Sequence, residues 1–476
     1  MMNITVNSIN RRRFIGALSA ASAGMAMSGL TPVYGGITEN RAWPDVSVSR
    51  SEEETLQLAT FDVDATPPAG SYLAYVPVIR TCDLGLRAKG IVLTGAGLPV
   101  VLCAVDWIGI CNESQDVFKQ VLAAAARTVP ERVAVHVLHQ HDAPKCDFSA
   151  EKMLRDAGIE PKVYDGAFER EVLLRLGRSV EEGLTRRQPV THLGVGKAQV
   201  HEVASNRRIL GDDGKVAATR WTACLDPELR AKPEGLIDPE LTLLSFWNQD
   251  APLAVMTFYA THPQSYYRVG VPCPDFPGIA RFYRQLAVPD ALHIHFTGAG
   301  GNIGAGKYND GTHENRLTLA KRLADGMEQA WKNVKKTKLA PEDIGWETQP
   351  VALPLAFDPA ELHKRMEEAK LKPEDDLSEL AWAIRQSEGN LIRIACLRLG
   401  QTRTLFMPGE LFVEYQLAAK AARKDLTVAM AAYGEGGPGY IGTRAAYAQG
   451  GYEIEVSLMA PEVEDVLMDA VNKLLK

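Results

Sequence analysis

Five apolar runs in this chain stop abruptly at polar or glycine residues, and this pattern limits the fold more than any other feature. Residues 133–138 run into His139-Gln140-His141-Asp142. Residues 255–260 run into Thr261-His262-Pro263, and 294–297 into Gly298-Ala299-Gly300-Gly301-Asn302. Residues 404–407 lead to Pro408-Gly409-Glu410 at the expected start of a helix, and 428–433 to the glycine-rich 434–442. Runs of this length and β-branched content read as buried strands. Stretches of helical period separate them, so the expected class is α/β, with mixed β-sheets packed with helices. Sites in such sheets gather at the carboxyl ends of strands. The five endings are therefore expected to converge on one pocket.

The remaining elements follow the same logic. Strands are expected at 90–93 and 100–105, joined by a turn through Gly95-Ala96-Gly97, and at 132–138, 192–200, 241–246, 253–260 and 292–297. Helices are expected at about 115–127, with Asn112 and Ser114 as N-cap candidates, at 168–184 and at 313–334. Residues 36 to about 65 read as a polar surface tail, and 335–343 as a charged connection. The segment 207–239 lacks strong period and is rich in Gly, Asp and Pro, which predicts a long substrate-facing loop.

The N-terminus is a separate unit. Arg11-Arg12-Arg13-Phe14-Ile15-Gly16 has the twin-arginine form, followed by a short, weakly apolar stretch. Residues 1–35 are expected to be an export signal, and 36–476 a single catalytic domain, delivered to the periplasm or secreted. With 476 residues, 46% apolar and 23% charged, the chain is globular. A net charge of −7 without a basic run after residue 13 argues against nucleic acid. No later segment is long and apolar enough to span a membrane. The seven cysteines are odd in number and irregular in spacing, which predicts buried thiols rather than a disulfide framework.

Taken singly, the polar residues at the strand ends carry little. His139-x-His141 offers two imidazoles on one side of an extended segment. His262 is held extended by Pro263. Glu410 follows a glycine that permits a sharp turn, and Tyr440 is flanked by glycine. Taken alone, each is more often structural than a ligand. His293 and His295 share one strand face and form a rival metal pair, and Asp106 and Asp275 sit in apolar surroundings. The stretch 298–308 has the glycines of a phosphate loop but not its Gly-Lys-Ser/Thr ending.

Together these residues resemble the catalytic domain of the neutral/alkaline (non-lysosomal) ceramidases. The family's His-Thr-His-Ser-Gly-Pro segment is similar to His139-Gln140-His141-Asp142-Ala143-Pro144, its Asn-Arg to Asn206-Arg207, and its His-Pro to His262-Pro263. Its Pro-Gly-Glu is similar to Pro408-Gly409-Glu410, and its three spaced tyrosines to Tyr440, Tyr447 and Tyr452. The order is kept over roughly residues 70–460. The resemblance implies one zinc per chain, held by His139, His262, Glu410 and Tyr440. It also implies that His141, Arg207 and Tyr452 hold the scissile carbonyl or its oxyanion.

Two departures bear on the chemistry. The family's serine, in its Gly-Asn/Asp-x-Ser-Pro segment, falls on Gly304 of Gly301-Asn302-Ile303-Gly304-Ala305. Asp142 replaces a serine beside the metal histidine and is a candidate partner or proton carrier. Asn206, Asn302, Gly304 and Lys307 are the substrate-binding candidates. The expected function is an exported zinc-dependent hydrolase that cleaves an amide (N-acyl) bond of a small acylated or lipid-like substrate by zinc-activated water. The alternatives are a zinc esterase or deacetylase, or a non-catalytic binding protein on a degenerate ceramidase-like scaffold.

Overall fold

The computed structural model describes residues 55–82, 84–358, 361, 364 and 370–476. The twin-arginine segment and the expected export signal lie outside the described residues. Contacts group Ser51–Lys476 into one compact unit.

Two sheets stack face to face between two helical layers. The larger has nine strands, in the order Ile344–Val351, Ile392–Leu399, Thr402–Pro408, Thr427–Gly434, Val133–Val137, Val100–Val105, Arg87–Thr94, Gln57–Asp64, Gln188–Pro189. The smaller has five: Leu292–Thr297, Ala251–Tyr259, Glu240–Asn248, His192–Gln199, Lys335–Lys338. Both mix parallel and antiparallel neighbours, as expected of the class.

One apolar cluster fills the space between the sheets, with Leu102, Leu397 and Phe406 meeting Leu244, Met256 and Phe296. A second lies between the large sheet and helices that include Glu113–Ala126, Ala167–Thr185 and Val463–Leu474. A third lies between the small sheet and the helices Asp275–Ala287 and His313–Lys332. Central strands are covered on both faces, so they read as unbroken apolar runs; all six residues of Val100–Val105 are buried.

The large sheet has a seam. Val133–Val137 continues a parallel pair with Val100–Val105, and Thr427–Gly434 a parallel pair with Thr402–Pro408. The two pairs meet head-on through a single antiparallel contact, Gly434 opposite His136. Carboxyl ends from both halves therefore arrive at the same place. Beside it lie the carboxyl ends of the parallel strands Ala251–Tyr259 and Leu292–Thr297 of the small sheet.

Several expectations are corrected. Residues 57–64 are not a surface tail but a strand, Gln57–Asp64, whose Leu58, Phe61 and Val63 are buried. The charged segment 335–343 begins with an edge strand, Lys335–Lys338, all of it exposed; lysines suit such an edge. Glu410 does not start a helix. It belongs to a two-residue strand, and the helix begins at Val413. Asn112 sits at the N-cap of Glu113–Ala126 but makes no capping bond, because its amide donates to Asp147 and to the carbonyl of Ser378. The Ser114 hydroxyl accepts from Phe148 N–H instead. All seven cysteines are free, and five are buried.

Candidate active site

The sheet seam determines which side chains meet. After Val137 the chain leaves the strand, and His139 takes a left-handed conformation with φ of 69°. That bend is unfavourable for a side chain bearing a Cβ. It is held by the His139 N–H donating to Trp107 O at 2.9 Å and by Thr297 Oγ1 donating to Leu138 O at 2.8 Å. The amide of Gln140, between the two histidines, donates to the carbonyl of Asp106. His262 lies past Ala251–Tyr259, where its N–H donates to Ile303 O at 3.1 Å. His139, His141 and His262 bring one ring nitrogen each to within 4.8 Å of one another, a group that can hold a metal ion.

Glu410 and Tyr440 are brought in as a pair. Glu410–Leu411 runs parallel to Tyr440–Ile441, with Glu410 directly opposite Tyr440. This close approach requires glycine at two points. Gly409 has φ of 58°, and a Cβ there would lie 2.7 Å from Gly439 O. A Cβ on Gly301 would lie 2.2 Å from Glu410 O. The Glu410 Oε2 atom is 3.4 Å from His139 Nε2 and 3.7 Å from His262 Nε2. The first contact is not aligned as a hydrogen bond and the second is too long for one, so this buried oxygen has no hydrogen-bond partner. The rings of His262 and Tyr440 stack with centroids 6.5 Å apart.

The remaining imidazole nitrogens are oriented from outside. His139 Nδ1 lies 2.6 Å from Ile108 O, so that nitrogen donates to the carbonyl and the ring is oriented with Nε2 facing Glu410. His262 Nδ1 is 3.4 Å from Gly300 O and 3.3 Å from the Tyr433 hydroxyl. Tyr433 also stacks on His139, with centroids 4.4 Å apart, and has a left-handed φ of 62°. This tyrosine was not among the sequence-derived candidates. Its signal was weak, the last residue of an apolar strand, and its role depends on the seam.

Arg207 is buried beside Tyr440, its guanidinium carbon 5.4 Å from that ring. Its Nη2 donates to Gly301 O at 2.7 Å and lies 3.1 Å from Glu453 Oε1, while Arg208 reaches the other oxygen of Glu453 at 3.2 Å. The Arg207 Nε is buried without a partner. Tyr452 packs edge-on against Tyr440 at 5.8 Å and against Trp221 at 5.0 Å.

Protonation follows from burial and these charges. Burial would raise Glu410, but His139, Arg207 and the Tyr440 hydroxyl outweigh it and hold the carboxyl below its usual range. Burial, reinforced by neighbouring imidazoles and Arg207, keeps His141 and His262 well below the ordinary histidine value. Tyr440 is raised by burial and stays a neutral phenol, and Tyr452 is pushed up to about 12 by burial and by Glu410.

The other candidates are placed differently. Asp142 turns away from the histidines, and its Oδ1 accepts from the N–H groups of Arg268 and Val269 at 2.8 and 3.3 Å. Burial pushes it up to about 6. Asn206 ties the 207–239 segment down, donating to Leu236 O and accepting from Arg208 N–H. Asn302 is fully buried between Glu414 and the N–H of Val413, at the start of the helix Val413–Ala422. Lys307 Nζ donates to carbonyls of Arg230, Ala231 and Lys232, at the end of the helix Pro227–Ala231. Gly304 lies beside the site: a Cβ there would stand 3.0 Å from Thr222 Oγ1 and 3.3 Å from Arg207 Cδ.

No protein-family model matches the sequence, and no curated protein matches it. The fold, by contrast, is that of the ceramidases. The chain superposes on the neutral ceramidase of Pseudomonas aeruginosa with a TM-score of 0.64 at 18% identity, over 89% of this chain and 75% of that one. A second structure, a ceramidase complexed with C2, matches with a TM-score of 0.64 at 16% identity, over 88% and 75%.

Proposed function

We propose that this chain is a zinc-dependent hydrolase that cleaves an amide, or N-acyl, bond. The observation that carries this reading is the orphaned Glu410 oxygen facing two histidine nitrogens at 3.4 and 3.7 Å. A buried carboxylate oxygen without a hydrogen-bond donor is costly. A cation between it and the imidazoles removes that cost. His139, His262, Glu410 and Tyr440 would hold the ion, two nitrogens and two oxygens, a donor set that suits zinc. Bound there, zinc would polarise a carbonyl and bring a water's pKa towards neutrality.

The chain's own residues supply the rest. Arg207 is kept charged by Tyr440 and Glu453 against the opposing effect of burial, and it offers its guanidinium edge to a developing oxyanion. Tyr452, a neutral phenol, is a second donor to the same oxygen. His141 stays neutral, with a buried Nδ1 that has no partner, and is free to take or give a proton at the scissile nitrogen. Gly304 offers no hydroxyl, so no acyl-serine can form at that position. Asp142, Asn206, Asn302 and Lys307 support the site through the loops they tie down rather than by facing the three histidines.

A ceramidase-like fold with this set favours an acylated substrate, and an N-terminal twin-arginine segment favours export to the periplasm or beyond. No helix among the described residues is long and apolar enough to cross a membrane. The test is hydrolysis of matched N-acyl and O-acyl substrates by zinc-loaded protein. Amide cleavage that His141→Ala abolishes supports the reading. Cleavage of esters alone favours the esterase alternative, and ligand binding without turnover favours the non-catalytic one.

A further inference from the structure

Beside the histidines lies a cation that the chemistry above does not use. Arg268 is solvent-exposed, and its guanidinium carbon lies 5.1 Å from the Tyr75 ring and 5.2 Å from the Tyr267 ring. The two rings touch each other edge-on at 5.2 Å, and both pack on His141, at 5.7 and 5.1 Å. Arg268 and His141 thus pack on the same two rings. Among the described residues no carboxylate pairs with it.

The other cations near the site are matched. Arg207 and Arg208 share Glu453, Arg316 lies 3.4 Å from Asp275, and Lys145 lies 2.6 Å from Asp376. Arg268 is also held in place at a cost. Its φ of 68° is disfavoured for a residue with a Cβ, and the buried Asp142 oxygen fixes it by accepting both its N–H and that of Val269. The residue next to His141 in sequence therefore shapes the loop that presents Arg268. A guanidinium packed against two aromatic rings has lost much of its freedom and keeps its donor edge open. Such an edge fits a carboxylate with two parallel hydrogen bonds.

We infer that the substrate carries a carboxylate within a few bonds of the scissile amide, as in an N-acyl amino acid, and that Arg268, packed on Tyr75 and Tyr267, binds it. This rests on the amide-hydrolase reading above and gives it a substrate class. The charge sits at the rim, so it acts mainly through affinity and weakens with salt.

The experiment compares N-dodecanoylglycine with its neutral primary amide. At low salt the wild-type protein should favour the acid in kcat/KM by about tenfold, the size of one charge-assisted pair. R268Q should bring the ratio of the two substrates towards one by raising KM for the acid, and R268K should restore part of it. Calorimetric binding of both compounds to metal-stripped protein repeats the comparison without turnover. Binding preference without hydrolysis would leave the carboxylate site standing and defeat the amidase reading. Hydrolysis with no preference, or a preference that R268Q leaves intact because the carboxylate sits on the metal, would overturn the carboxylate site and leave the amidase reading in place.

Discussion

The chain contains the pattern His-x-His twice, and the two copies have opposite fates. His293 and His295 lie inside the strand Leu292–Thr297, on the face turned towards the helix Asp275–Ala287. His295 Nδ1 meets Thr257 Oγ1 at 2.8 Å, and Arg281 and Arg284 add their positive charge to the same layer. Cations and bulk repel a metal there, and the expected rival pair gains no third ligand among the described residues. His139 and His141 lie just past a strand end, where a left-handed bend turns the chain out of the sheet and towards His262 and Glu410. The same two residue types are packing in one place and a candidate metal site in the other. Position relative to the strand end, not composition, makes the difference.

The largest expected effect is on the packing side. Arg281 makes a two-pronged bond to Asp106, both buried, and is among the charges that lower His295. Asp106→Ala would strand that guanidinium and should cost about 3–5 kcal/mol of stability, read by chemical denaturation. A cost near zero would mean the layer is not held by this pair. On the site side, Arg207→Gln should lower kcat by about a hundredfold or more while zinc content stays unchanged. A loss of metal instead would make Arg207 a structural residue.

Acid should separate the regions further. Burial lowers His293 to about 4 and His295 to about 3, with Arg284 and Arg281 contributing. Unfolded histidine titrates near 6.5, so below that pH the unfolded chain takes up protons that the folded chain refuses. The stability these groups contribute is complete above about pH 6.5 and is lost as pH falls towards about 4 for His293 and about 3 for His295, at about 1.4 kcal/mol per pH unit for each histidine. Melting curves from about pH 7.5 down to about pH 5 should show this slope, and His295→Gln should flatten it. The smallest effect is expected of Tyr433→Phe, which removes the hydroxyl 3.3 Å from His262 Nδ1 and keeps the ring stacked on His139. Zinc should bind about tenfold more weakly, measured by chelator competition, with the metal-free stability little changed.

Much of this was legible because strand endings are written in the sequence. The apolar runs at 100–105 and 292–297 match strands residue for residue, since residues buried on both faces leave no alternating signal to misread. That the strand endings meet was expected from their position, but the choice of His139, His262, Glu410 and Tyr440 among them rested on a family resemblance, because their pairing depends on a head-on strand junction that no local pattern encodes. Asn302 and Lys307 looked like pocket residues because glycines surround them. Their partners, Glu414 and the carbonyls of 230–232, lie about a hundred residues away or across a loop. Tyr433 and Arg268 escaped notice for the same reason: each packs on a residue far off in the chain, His139 and Tyr75.

Elemental analysis of purified protein, wild type beside His262→Ala and His295→Ala, tests the central claim most directly. We expect about one zinc per chain in the wild type and in His295→Ala, and none in His262→Ala. A folded wild-type protein without zinc, or a metal lost with His295 and kept without His262, would contradict it.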